Sequence, residues 1–107
     1  MLRERLANEL KTATKARDQR ARETLRLILA GLKDRDIAAR GKGNPDGIAE
    51  AEILEMLAKM VKQREEAMAL YTQGGRPELA EQERQEMAII QGFLPRPLDD
   101  VETEAAI

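Results

Sequence analysis

The apolar residues of this chain recur every three or four positions, the spacing of a helix that buries one face. Four segments show this pattern, and residues that end helices separate them. Their apolar stripes are Leu2, Leu6, Leu10 and Ala13; Leu25, Ile28, Leu29 and Leu32; Ile53, Leu57, Met60, Met68 and Tyr71; and Leu79, Ile90, Phe93 and Leu94. The pattern predicts an all-α fold that is built on a four-helix N-terminal bundle.

The residues between the stripes predict where the helices begin and end. Asp18 has the short polar side chain that caps a helix start. Residues 41–47, Gly-Lys-Gly-Asn-Pro-Asp-Gly, break every period and predict a loop. The third helix is expected from about Ala49 to Gln73, a length of about 37 Å.

A long hairpin stands at the centre of the predicted fold. Gly74-Gly75 ends the third helix, and Pro77 suits the first turn of the fourth. Pro95 and Pro97 then stop the fourth helix after its apolar stripe. The third and fourth helices are therefore expected to pack antiparallel.

The last residues suggest a further element. Asp99 and Glu102 form a capping-box pattern, which predicts the start of a fifth helix. We therefore divide the chain into a helical domain, residues 1–95, and residues 96–107. The second part is interpreted as a linker and the start of a C-terminal helical subdomain that is truncated at Ile107.

Charge is distributed unevenly along the chain. Residues 1–44 contain 12 Lys and Arg against 6 Asp and Glu, whereas residues 45–107 contain 6 against 14. The halves therefore carry +6 and −8, which the net charge of −2 hides. Two interpretations stay open: the basic half is a nucleic-acid-binding face, or the two halves attract each other within the fold.

Three charged residues lie within the apolar stripes of the hairpin. Arg64 interrupts the third helix, and Glu83 and Glu86 interrupt the fourth. Buried charges require partners. Arg64 and Glu86 are each 11 residues from Gly75, hence at the same level of an antiparallel pair. We predict a structural Arg64–Glu86 ion pair, with Glu83 or Asp36 as competitor; acid–base catalysis by the two glutamates is the alternative.

The residue types of the chain disfavour catalysis. It has no His, Cys, Trp or Ser, so the usual nucleophiles, the commonest general base and the His and Cys ligands of zinc are missing. Lys42 is followed by Gly instead of the Ser or Thr of a phosphate-binding Gly-Lys motif. The acidic residues do not form a calcium-loop pattern. We predict a protein that is not an enzyme and that uses no cofactor and no metal.

The location is predicted from what the chain lacks. The absence of Cys fits a reducing compartment, and the N-terminus is charged instead of apolar. The longest apolar run, Leu27–Leu32, is too short to cross a bilayer. These features predict a cytoplasmic protein with no membrane contact.

The hairpin region resembles a known family. It carries Lys-Gln-Arg at 62–64 with Tyr71, then Gly-Gly-Arg at 74–76, Leu79-Ala80 with Glu83, and Phe-Leu-Pro at 93–95. This order of motifs is similar to the GatB/YqeY domain family, which includes the tail domain of the tRNA-dependent amidotransferase B subunit. The resemblance implies a tRNA-binding accessory role in translation. The amidotransferase label, a carbon–nitrogen ligase with glutamine as amide donor, would be inherited from the family and not shown by this chain.

If tRNA is the partner, the basic half supplies the candidate contacts. Phosphates would bind Lys11, Lys15, Arg17, Arg20, Arg22, Arg26 and Lys33. With one Tyr, one Phe and no Trp, the composition favours recognition of shape and backbone over base stacking. In the competing interpretation, Lys11 and Lys15 form a solvated face and Arg22 and Arg26 pair with acids of the other half.

A protein-interaction module without RNA binding is the other function class. Met56, Met60, Met68 and Met87 are spaced to line a groove that accepts a partner helix or the missing subdomain. Methionines at helical spacing are also common in cores, so both interpretations stay open.

Overall fold

The computed structural model describes residues 2–95. It contains the helices α1 (Leu2–Lys15), α2 (Gln19–Gly41), α3 (Glu50–Gln73) and α4 (Pro77–Gln91), with no strand in that range. The predicted all-α fold and its four helices are confirmed. The predicted fifth helix, which would start near Asp99, lies outside the described residues.

The helix ends follow from local chemistry. Asp18 Oδ1 accepts a hydrogen bond from the Ala21 N–H at 3.1 Å, which satisfies a free donor in the first turn of α2. Ala49 has no hydroxyl for the start of α3, but Glu52 Oε1 accepts the Ala49 N–H at 3.0 Å. After α3, Gly75 adopts φ +73°, a conformation that glycine reaches without steric penalty.

The core lies where the four helices meet. Its most deeply buried side chains, each under 2% exposed, come from all four helices: Leu6, Ile28, Ile53, Leu57 and Ile90. Full burial of such a side chain contributes about 2 kcal/mol. Helix α2 is central, since it contacts α1, α3 and α4. Within the described residues, no helix is long and apolar enough to cross a membrane.

The hairpin reaches beyond this core. On α3 the last buried residue is Val61, and on α4 the first is Ile90. Met68, Tyr71 and Leu79 were predicted to face inward, yet they are only half-buried. They lie on the face that α3 and α4 share, but no helix from the rest of the described chain covers that end. The distal hairpin is therefore stabilised mainly by its own two helices.

A buried carboxylate fastens the N-terminus to the end of α2. Asp36 is 6% exposed and accepts hydrogen bonds from both terminal nitrogens of Arg3 and from the Ile48 N–H at 2.9 Å. Arg3 Nη2 also donates to the Ile48 carbonyl at 2.7 Å. The Arg3 hydrogen bond, with help from the Ile48 N–H, lowers the pKa of Asp36 to about 2. Asp36 is thus engaged by Arg3 and is not the competitor for Arg64 that the sequence allowed.

Gly47 makes room for the hydrogen bonds between Arg3, Asp36 and Ile48, which we call the Arg3–Asp36 clasp. It has φ +83°, and a Cβ on it would collide with the Asp36 carboxylate. Both facts favour glycine at this position. The loop between α2 and α3 is consequently held against the core at Asp36.

Candidate nucleic-acid interface

The α1 part of the basic face is exposed. Lys11 and Lys15 are four residues apart and therefore share one side of the helix. That side is opposite the stripe of Leu2, Leu6 and Ala13, which faces the core. Both ammonium groups are available to solvent or to a ligand.

Arg17 stands in the turn between α1 and α2 with an unusual backbone. Its φ is +58°, and it is the non-glycine residue of the described chain with positive φ. The turn needs this conformation, because the Asp18 N–H reaches back to the Ala13 carbonyl at 2.9 Å and closes α1. Glycine would suit the position better. An arginine there places an exposed cation at the corner between the two helices.

The α2 part of the basic face is a stripe along the helix. Arg22, Arg26 and Lys33 are four and seven residues apart, so their side chains project in nearly the same direction. Arg26 and Lys33 are exposed, and Arg22 is half-buried. The Arg22 Nε is buried and has no hydrogen-bond partner among the described residues.

Sequence reasoning missed the end of this stripe. Arg40 follows Lys33 by seven residues and is exposed on the same side of α2. Its Nε donates to the Pro45 carbonyl at 3.3 Å, which holds the side chain beside the loop. The seven-residue spacing was the available signal. From Arg22 to Arg40 the stripe is about 27 Å long.

Arg20 is used inside the fold. Its Nη1 lies 3.6 Å from Glu86 Oε2 on α4. The interpretation in which the basic and acidic halves attract each other therefore holds for Arg20. The other six predicted cations have no ion-pair partner within residues 2–95: Lys11, Lys15, Arg17, Arg22, Arg26 and Lys33.

The structure brings two of the three charged hairpin residues together. Arg64 Nε lies 3.3 Å from Glu86 Oε1, with side-chain exposures of 12% and 22%. The contact is an ion pair without hydrogen-bond alignment, since the buried Arg64 Nε has no hydrogen-bond partner in the described chain. Glu83 is half-buried and makes no ion pair within residues 2–95. Glu86 thus links α4 to α2 through Arg20 and to α3 through Arg64.

The aromatic side chains do not offer a stacking surface. Phe93 is 7% exposed, and the guanidinium of Arg5 lies 4.9 Å from its ring centroid. Arg5 Nη2 also donates to the Gly92 carbonyl at 2.8 Å, which fixes it over the ring. Tyr71 is half-buried on the hairpin, away from the basic stripe. Contacts by the basic face would therefore be ionic contacts to a backbone.

The four methionines that were predicted to line a groove divide between core and surface. Met56 is 3% exposed and belongs to the core, whereas Met60, Met68 and Met87 are half-buried. An open groove of about 390 Å³ between α2 and α3 has Met56 and Met60 in its lining. Leu27, which is 48% exposed, also lines it.

Fold and surface define a small all-helical domain with one basic two-helix face and an acidic hairpin. The family model described as Yqey-like protein matches residues 3–107. The chain belongs to this family, as its hairpin motifs predicted.

Several curated proteins of yeasts are similar to this chain. The chain is similar to "Altered inheritance of mitochondria protein 41, mitochondrial" of Lachancea thermotolerans, with 30% identity over 89 residues, 83% of this chain and 46% of the relative. The protein of that name from Eremothecium gossypii matches with the same values. That of Saccharomyces cerevisiae is 28% identical over 89 residues, with the same coverage. The chain spans about half the length of the curated relatives it matches.

These relatives correct the predicted location. Their names call them mitochondrial, which contradicts the expectation of a cytoplasmic protein. The prediction was wrong because missing cysteines and short apolar runs only disfavour disulfides and membrane insertion. Such features do not distinguish one compartment without disulfides from another.

Proposed function

We propose that this domain is a non-catalytic accessory module that binds tRNA through the basic face of α1 and α2. The observation that carries the proposal is that six of the predicted cations make no ion pair within residues 2–95, although Asp and Glu outnumber Lys and Arg in the chain. Acids of the hairpin pair with Arg20, Arg64 and Arg84 instead. Cations that no acid of the fold neutralises are what binding to a phosphate backbone requires.

The mode of binding follows from the same surface. The stripe from Arg22 to Arg40 lies on one continuous helix, and Lys11 and Lys15 lie on the helix beside it. Phosphate contacts of this kind position an RNA without reading its bases. Phe93 is covered by Arg5, so stacking on single-stranded bases has no support. Shape recognition of a folded RNA such as tRNA fits this surface best.

The likeness to the amidotransferase tail domain supports tRNA over other folded RNAs. In that enzyme the comparable part is an appended helical tail, and this chain has no His, Cys or Ser to carry out acyl chemistry. We therefore propose that any carbon–nitrogen ligase activity belongs to other proteins. An assay with glutamine and misacylated tRNA is expected to give no amidated product.

Two matched variants test the binding face. The variant Arg26→Gln/Lys33→Gln removes two charges from the basic stripe, and Arg76→Gln/Arg84→Gln removes two from the hairpin. All four side chains are exposed, so the fold should survive in both variants. We expect the first variant to bind a tRNA pool about tenfold more weakly in fluorescence anisotropy, and the second to bind as wild type. Equal weakening in both variants, or no binding by wild type at low salt, would reject the proposal.

A second candidate function is a helical protein-interaction module. The open groove between α2 and α3, with Leu27 on its rim, is the observation that favours it. The curated relatives are about twice as long, so further residues of such proteins are one possible occupant. Binding of tRNA that is lost in the stripe variant would separate RNA binding from this alternative.

A further inference from the structure

The loop between α2 and α3 contains the dipeptide Asp46-Gly47. The Gly47 N–H donates to the Asn44 carbonyl at 3.2 Å and closes a turn over Pro45 and Asp46. We call residues 44–47 the Asp46 turn. The Asp46 side chain is exposed, and its carboxylate makes no hydrogen bond or ion pair within residues 2–95. The turn therefore holds the nitrogen of Gly47 and leaves the neighbouring carboxyl group free.

An aspartate that precedes a glycine is a place where a peptide chain rearranges without an enzyme. The backbone nitrogen of the glycine loses its proton and bonds to the aspartate Cγ, whose hydroxyl group leaves with that proton as water. The product is a cyclic succinimide. Water then opens the ring at either carbonyl, which restores aspartate or gives isoaspartate, and the whole reaction consumes no oxidant or reductant. Glycine favours the first step because it has no Cβ that shields its nitrogen.

The Arg3–Asp36 clasp opposes this rearrangement in the folded protein. Gly47 is buried, and a Cβ on it would collide with the Asp36 carboxylate. Ile48 is held on both sides, since its N–H donates to Asp36 Oδ1 at 2.9 Å and its carbonyl accepts from Arg3 Nη2 at 2.7 Å. The peptide group between Asp46 and Gly47 has to leave its hydrogen bond and turn before its nitrogen reaches Cγ. Opening of the clasp is therefore the step that makes the rearrangement possible.

We propose that Asp46 is a self-modification site that converts to isoaspartate when the Arg3–Asp36 clasp opens, and that the conversion keeps the clasp open. In isoaspartate the main chain passes through Cβ and Cγ, so it is longer by one methylene group, about 1.5 Å. Gly47 has no room for even one added carbon atom against Asp36. The longer chain therefore displaces Gly47 and Ile48 from Asp36. The site uses none of the seven predicted RNA-binding cations, so the inference stands apart from the proposed function.

Ageing of the purified protein at neutral pH tests the site. Isoaspartate is measured as the methyl groups that an isoaspartyl methyltransferase transfers to the protein, and mass spectrometry gives its position. Asp36→Asn and Arg3→Gln each weaken the clasp and should form isoaspartate at position 46 at least about tenfold faster than wild type. Arg64→Ala is the matched control, since it weakens the hairpin instead of the clasp, and it should age as wild type. Equal rates in wild type and both clasp variants, or equal acceleration by Arg64→Ala, would overturn the proposal.

The isomerised protein itself tests whether the conversion keeps the clasp open. Wild-type protein is aged, and the form that contains isoaspartate is separated by chromatography. Amide hydrogen exchange of Ile48 should be at least about tenfold faster in this form than in unaged protein, because its acceptor on Asp36 is displaced. Circular dichroism should show unchanged helix content, since the altered residue lies in a loop. Protection of the Ile48 amide equal to that in unaged protein would overturn the proposal.

Discussion

The two helical pairs of this domain use their arginines in different ways. On α3 and α4, both arginines are paired with acids of the hairpin: Arg64 with Glu86, and Arg84 with Glu81. On α1 and α2, two arginines are paired with acids, Arg3 with Asp36 and Arg20 with Glu86, and a larger set of cations has no ion-pair partner within residues 2–95. The comparison teaches that the hairpin, which identifies the family, is the structural scaffold, whereas the less distinctive basic helices carry the candidate interface.

Loss of the Arg3–Asp36 clasp, which joins α1 to α2, is expected to have the largest effect on stability. Asp36→Ala leaves the Ile48 N–H and the Arg3 guanidinium without their acceptor. We expect the free energy of unfolding to fall by about 2–3 kcal/mol in urea denaturation followed by circular dichroism. Asp34→Ala, at an exposed position of the same helix, should change it by less than about 0.5 kcal/mol. Equal effects of the two substitutions would contradict the role given to Asp36.

The same clasp predicts how stability depends on pH. The pKa of Asp36 in the folded protein is about 2, below the value of an unfolded aspartate. The carboxylate therefore contributes its full stabilisation above about pH 4 and loses it as the pH falls toward 2. We expect a loss of up to about 2 kcal/mol over that range, and a flatter profile for Asp36→Asn.

An exposed ion pair complicates that profile and supplies its control. Arg84, with help from Gln85, lowers the pKa of Glu81 to about 2 as well. Both side chains are exposed, so added salt should screen their contribution. The pH dependence that persists in about 0.5 M salt should be the part that Asp36→Asn removes. A profile that salt abolishes completely would contradict the assignment to Asp36.

The Arg64–Glu86 contact predicts a smaller effect on the hairpin. Arg64→Ala removes one partner of a largely buried ion pair and leaves Glu86 with Arg20 alone. We expect destabilisation by about 1–2 kcal/mol in thermal or urea unfolding. Glu83→Ala serves as control, and we expect a change within about 0.5 kcal/mol, because Glu83 has no ion-pair partner in the described chain. An Arg64→Ala variant as stable as wild type would exclude a structural role for the pair.

Substitution of Arg17 is expected to have the smallest effect on stability. It also separates the contribution of this residue to the fold from its contribution to the proposed interface. Its φ of +58° suits glycine, so Arg17→Gly should raise the free energy of unfolding by roughly 0.5–1 kcal/mol. The same change removes a cation from the corner of the basic face and should weaken tRNA binding. A variant that is more stable and binds tRNA equally well would take Arg17 out of the proposed interface.

Helical periodicity predicted the four helices and the core residues Leu6, Ile28, Leu57 and Ile90, because burial of one face imposes that period. The hairpin register placed Arg64 opposite Glu86, because the turn at Gly75 fixes which positions meet. Such reasoning is local and needs only one element or one turn.

Helical periodicity and hairpin register did not predict the contacts between elements that are distant in the sequence. The clasp joins Arg3 to Asp36 across 33 positions, and nothing in either helix alone gives their relative register. Met68 and Leu79 were predicted to face inward but are only half-buried. A stripe indicates which face of a helix is apolar, but it does not indicate whether another helix reaches that face. The free state of six cations likewise depends on where every acid lies after folding.

The salt dependence of tRNA binding tests the central claim most directly. If all six free cations contact phosphates, the logarithm of the association constant should fall with the logarithm of salt concentration with a slope of roughly −4 to −5. Arg26→Gln/Lys33→Gln should reduce the magnitude of that slope by about 1.5–2, and Arg76→Gln/Arg84→Gln should leave it unchanged. A wild-type slope near zero, or the same reduction in both variants, would contradict the assignment of RNA binding to α1 and α2.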